Sequence, residues 1–185
     1  MTLAIAFKGR EGIVLAADSR DTLLSGVRST RTDDSTPGVR VIGIRETFTI
    51  SYFDNAIKLF QVPGQSHIGF VVSGATLIGE DPRSLAGYLP DLADELTAAY
   101  GGERATVEDI APKVGEFYHE VWEDTPGRVP RDIISFLVAG FNEGEPYGRI
   151  YEFAVPDELD LTEHLAGELG IATIGEDSID RKSVV

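Results

Sequence analysis

The strongest constraint on this chain is an order of periodicities: short apolar runs lie toward both ends, with one long block of helical spacing between them. In "EDPRSLAGYLPDLADELTAAYGG" the residues Leu85, Leu89, Leu92 and Leu96 recur every three to four positions before a Gly-Gly stop, which predicts a helix. "TVEDIAPKVGEFYHEVWED" predicts a second helix, capped by Thr106 and acidic in its first turn, with Val107, Ile110, Val114, Phe117 and Val121 on one face. Before this block, Leu3–Phe7 and Gly12–Ala17 flank "KGRE" and read as a hairpin. Neither run alternates cleanly, so the hairpin's sheet is expected to have a second sheet on one side and helices on the other. "AIKLFQV" and "HIGFVVSG" flank a Pro-Gly turn, and the second is expected to end at Gly74. After the helices come "DIISFLVAGF", "GRIYEFAV" and "GIATIG" as further strands. Strands, two helices, then strands predict an α+β domain with stacked sheets and an outer helical layer, and residues 1–185 read as one domain.

Charge and composition remove several classes of function. With 16 Lys+Arg against 31 Asp+Glu, the net charge of −15 repels phosphate backbones and anionic membranes, so neither nucleic acid nor a membrane surface is expected as a partner. The absence of cysteine removes thiolate nucleophiles, disulfides and Cys-based metal sites. His67, His119 and His164 stand in unrelated contexts, so no metal or other cofactor is expected. No apolar stretch reaches membrane-span length and no signal peptide opens the chain, which leaves the cytoplasm as the expected location. The acidic clusters "DDS", "EDP" and "DELDLTEH" read as solvated faces and caps.

The opening "TLAIAFKGREGIVLAADSR" resembles that of proteasome β-type subunits and related N-terminal nucleophile (Ntn) hydrolases. Thr2 stands sixteen positions before Asp18, which is followed by Ser19 and Arg20, the spacing that the family uses between its nucleophilic threonine and a structural aspartate. "NAIKLFQV" is similar to the family's strand bearing an active-site lysine, here Lys58, and the likeness runs in order through "GFVVSGATLIGEDPRSLAGYL" to "GIATIGEDS". The resemblance implies a four-layer αββα sandwich and a catalytic set of Thr2, Asp18 and Lys58. It implies Ser73, with Gly74 beside it, as the oxyanion donor. Asp21 and Thr22 on one side and Ser73 and Ala75 on the other would pair with an extended peptide, and Ala56, Phe60 and Val71 would line an apolar specificity pocket. Glu176, with Ser178 two positions on, falls where the family has a serine that contacts the threonine's amine.

The chemistry fits those residue types. A threonine hydroxyl needs a base, and the α-amine exposed by loss of Met1, with a pKa of about 7.7–8, is suited to that task. A lysine held charged by an aspartate stabilises the developing alkoxide, and a backbone N–H stabilises the tetrahedral oxyanion. The implied function is a threonine endopeptidase in a self-compartmentalising homo-oligomeric ring that takes polypeptide substrates, with an ATPase or α-type partner compatible with it. The alternatives are a catalytically inactive scaffold subunit and an acylase or amidase of the same superfamily. Two departures shape the expectation. The family continues past the last turn into another pair of helices whereas this sequence stops at Val185, so either it is a piece of a longer chain or the sandwich lacks half a helical layer at that end. The stretch Arg28–Ser51 is longer than the family's connection, as a hairpin at the substrate entrance or a subunit contact would make it.

Overall fold

A computed structural model describes residues 3–33, 40–78, 83–126, 133–157 and 159–175, with the backbone alone over 22–52. The chain is a mixed α+β protein. β1 (Leu3–Lys8) and β2 (Ile13–Ala17) form the expected hairpin, closed by Gly9 N–H donating to Gly12 O at 2.9 Å, and β12 (Gly170–Gly175) pairs on the other side of β1. The second sheet has the order β11 (Thr162–His164), β10 (Arg149–Val155), β9 (Ile134–Gly140), β6 (Ile68–Gly74), β5 (Leu59–Gln61), antiparallel throughout. Among the described residues β3 (Asp21–Asp33) and β4 (Arg40–Phe53) pair only with each other, and β7 (Leu77–Ile78) pairs with β8 (Arg83–Ser84).

Two cores sort the layers. Alternate residues of a strand face opposite ways, so Phe70, Val72, Phe136, Val138, Phe153 and Val155 project from the five-stranded sheet onto the helices. Their neighbours Val71, Leu137, Ala139 and Ile150 project the other way, onto Ala4, Ala6, Ala172 and Ile174 of the three-stranded sheet. The helical layer is α1 (Leu89–Tyr100) and α2 (Val107–Asp124). Leu85 belongs to a 3-10 turn, Leu85–Tyr88, and the α-helix begins beside Pro90, whose missing N–H costs no helical hydrogen bond in a first turn. Thr106 caps α2 by accepting from Asp109 N–H at 3.3 Å. Phe60 stacks on Phe70 at 4.8 Å and Phe136 on Phe153 at 4.9 Å, while the fully buried Tyr118 donates its hydroxyl to Leu85 O at 3.1 Å.

One expectation needs correction. The sheet that lies between a sheet and helices is the five-stranded one. The outer face of the three-stranded sheet is open among the described residues, with Phe7, Val14 and Ile171 exposed. Its apolar runs are therefore apolar on two faces although only one face is covered here. The cluster "DELDLTEH", read as a solvated face, contains the edge strand β11, held by His164 to Glu152 at 2.6 Å and by Arg149 to Glu163 at 3.6 Å. Among the described residues no helix is long and apolar enough to cross a membrane.

Candidate functional site

The site gathers where β1 begins. Leu3 O accepts from Asp18 N–H at 3.1 Å and Leu3 N–H donates back to Asp18 Oδ1 at 3.3 Å, so the residue after β2 clasps the first residue of β1 through backbone and side chain. Lys58, whose side chain is wholly buried, donates from Nζ to the same Oδ1 at 3.3 Å and also to Arg20 O. Its position follows from local pairing: Ala56 N–H donates to Ser19 O at 2.9 Å, and Lys58 O accepts from Val72 N–H at 2.9 Å. The segment 56–58 thus bridges the turn after β2 and the strand β6. A buried ammonium without a counter-ion is costly, so Asp18 and the Arg20 carbonyl are what permit a charged lysine here. Arg20 itself reaches outward to Asp54 at 2.6 Å, an exposed pair of small energetic weight.

Asp21 is buried at the start of β3 and accepts a hydrogen bond from Thr76 Oγ1, tying the root of the β3–β4 ribbon to the turn after β6. Between them opens an apolar cavity of about 330 Å³, lined by Asp21, Phe53, Ala56, Ile57, Thr76 and Leu77 among others. Of the three residues expected in such a pocket, Ala56 is there. Phe60 instead packs in the helix-side core and borders a separate cavity with Ile13, Leu15 and His67, and Val71 is buried between the sheets. The period of two along β5 and β6 sends them to opposite faces and neither to the cavity. Phe53, Ile57 and Leu77 supply the apolar wall instead. Ile57, directly before Lys58, is the one signal in the sequence for that wall.

Ser73 is buried near the end of β6, opposite Ser135 of β9, and Gly74 follows with φ +98°. A β-carbon at Gly74 would lie 2.1 Å from Ile133 O, so glycine is required twice, by dihedral and by space. Ala75 N–H donates to Ile133 O at 3.4 Å. On its other side β6 pairs with β5 only through Val71, and Val72 N–H reaches Lys58 O. Past Val72 that edge, which leads away from Lys58, has no paired strand among the described residues. The structure therefore brings together Asp18, Lys58, Asp21 and Ala56, with Ser73, Gly74 and Ala75 on the adjoining edge. The backbone of Thr22 lies in β3, directly after Asp21. Thr2, Glu176 and Ser178 lie outside the described residues.

Among the described residues no group of three or more His, Asp or Glu could hold a metal ion. His67 bonds to Ala105 O at 2.9 Å and His164 to Glu152, each within its own local contact. The participants that the sequence reading missed are backbone atoms and one hydroxyl: Leu3 N–H, Arg20 O and Thr76 Oγ1. Neither a protein-family model nor a curated protein matches the chain, so the chemistry rests on the site's own residues.

Proposed function

We propose that the chain is a threonine-type Ntn peptidase subunit with the four-layer αββα plan, working in the cytoplasm within a homo-oligomeric proteasome-like ring. The observation that carries the reading is the buried Lys58, bonded through Asp18 Oδ1 to the N–H of Leu3, the residue that Thr2 directly precedes. With Met1 removed, the Thr2 hydroxyl attacks a peptide carbonyl and its proton passes to the α-amine. The oxyanion takes a hydrogen bond from an amide in the Ser73–Gly74 turn. The α-ammonium returns the proton to the leaving amine, the C–N bond breaks, and an ester on Thr2 remains for water to hydrolyse. The Lys58 ammonium stabilises the alkoxide by charge. The substrate lies extended along the open edge of β6 and places an apolar side chain in the cavity of Ala56, Phe53 and Ile57.

A peptide epoxyketone requires both the hydroxyl and the free amine, so it tests the reading directly. Intact mass is expected to show loss of Met1 and one adduct on the first tryptic peptide, absent in Thr2→Ala. Lys58→Met is expected to lower peptide hydrolysis by about 10²–10³-fold. A free Thr2 that never reacts would leave the scaffold-subunit reading in its place, and hydrolysis of small amides but not peptides would point to the acylase.

A further inference from the structure

The β3–β4 ribbon has no place in either sheet, and among the described residues each of its strands packs extensively only on the other. A two-stranded ribbon is marginal in water unless one face is covered. Residues directly opposite share a face. The register sets Thr22 against Tyr52, Leu24 against Ile50, Gly26 against Phe48, Arg28 against Glu46 and Thr30 against Ile44 on one face. The other face carries Leu23 against Ser51, Ser25 against Thr49, Val27 against Thr47, Ser29 against Arg45 and Arg31 against Gly43. The first face thus gathers Leu24, Ile44, Phe48, Ile50 and Tyr52 around a single Arg28–Glu46 charge pair and is the more apolar of the two. The body offers a matching surface: on the outer face of the three-stranded sheet, Phe7 stands directly opposite both Val14 and Ile171, and these are 47%, 61% and 48% exposed.

We infer that the ribbon is an arm with which one copy of the chain clasps a second, its apolar face lying across the outer three-stranded face of the partner, reciprocally. Charge favours that occupant. Residues 21–53 carry four arginines against four acids, a net of zero, which leaves the whole −15 on the remainder of the chain. The arm is then the part of the molecule least repelled by another copy's acidic body. Area is sufficient as well. From strand rise and spacing the arm's face measures roughly 10 by 35 Å, so two reciprocal arms bury on the order of 1,400 Å² in total, within the range of stable specific interfaces. The inference does not depend on the peptidase reading.

Sedimentation equilibrium on the full chain is the test. The wild type is expected to associate, and Ile50→Glu on the arm or Val14→Glu on the receiving face to weaken association at least about tenfold. Unchanged circular dichroism and thermal unfolding would establish that both variants fold. An equimolar mixture of the two variants retains one intact arm and one intact face across a heterodimer, so it is expected to regain part of the association that each has lost. A wild type that stays monomeric at the highest concentration reached overturns the proposal, as it would if the face were covered within one chain. So does a mixture that regains nothing, the result for arm-on-arm or face-on-face contact.

Discussion

Lys8 and Lys58 are both buried lysines of the same domain, yet their surroundings ask different things of them. Lys58 has the Asp18 carboxylate at 3.3 Å, whereas Lys8 Nζ is bonded to two neutral acceptors, Gly148 O at 2.9 Å and Leu165 O at 2.5 Å. Burial holds the Lys8 pKa below that of an ordinary lysine, and the attraction of Glu163 opposes this only in part. An unfolded lysine titrates near 10.4. Between the lowered folded value and that pH the unfolded chain binds more protons, so this group's contribution makes stability rise with pH there. Lys8→Met at pH 7 takes the lysine donor from Gly148 O and one of two donors from Leu165 O, which keeps Glu168 N–H at 3.0 Å, and is expected to cost about 1–3 kcal/mol. In urea unfolding, the wild type's advantage over Lys8→Met is expected to widen as pH rises from neutral toward 10.4, since a neutral amine can still donate to both carbonyls. A gap that narrows with pH would contradict this account. The lysine's burial was legible in principle: along β1, Ala4, Ala6 and Lys8 share the inward parity, opposite to Leu3, Ile5 and Phe7. Composition hides it, because a lysine closing an apolar run reads as the first residue of a turn.

Helix α2 shows how an element is held from outside its own sequence. Its start is capped twice, by the half-buried Thr106 and by the buried Asn142 of the β9–β10 connection, whose Oδ1 accepts from Val107 N–H at 2.9 Å and whose Nδ2 donates to Glu108 at 2.8 Å. Gln65 and His67 hold the preceding loop, Gln65 bonding to Glu103 O at 2.8 Å and to Ala105 N–H at 3.0 Å. Asn142→Ala strands a buried N–H and is expected to cost about 1–3 kcal/mol, more than Thr106→Ala at about 1 kcal/mol. Equilibrium unfolding of both variants ranks them, and equal costs would show that solvent replaces the Asn142 acceptor. The helices and the strands with apolar runs were readable because period and capping are local. The β11 edge was not, since three polar residues carry no period and their pairing rests on polar contacts with Arg149 and Glu152 of the preceding strand.

The two interfaces between layers are built from different materials. Phenylalanine, tyrosine and tryptophan fill the space between the five-stranded sheet and the helices, whereas alanines on β1, β9 and β12 let the two sheets approach closely. Phe136→Ala is expected to cost about 3–5 kcal/mol through a cavity beside Tyr118 and Phe153. Ala6→Leu is expected to cost about 1–3 kcal/mol by overpacking, as Ala6 is fully buried. Urea unfolding followed by the fluorescence of Trp122, the one tryptophan, measures both. A tolerated Ala6→Leu would mean that the sheets can separate. The α+β class and the order of strands around two helices were readable from the pattern of the whole chain. Which sheet lies at the centre was not, because strands covered on one face and on two faces carry the same apolar runs here. The long β3–β4 pairing was legible only as an excursion followed by a strand pair. Gly74 bears on how such a chain can change over generations. Every residue reachable from a glycine codon by one base change carries a β-carbon, and each would arrive 2.1 Å from the Ile133 carbonyl. A lineage that keeps this turn must retain glycine there, or first acquire a compensating change on the Ile133 side, so the two positions are tied together in mutational history as firmly as in space.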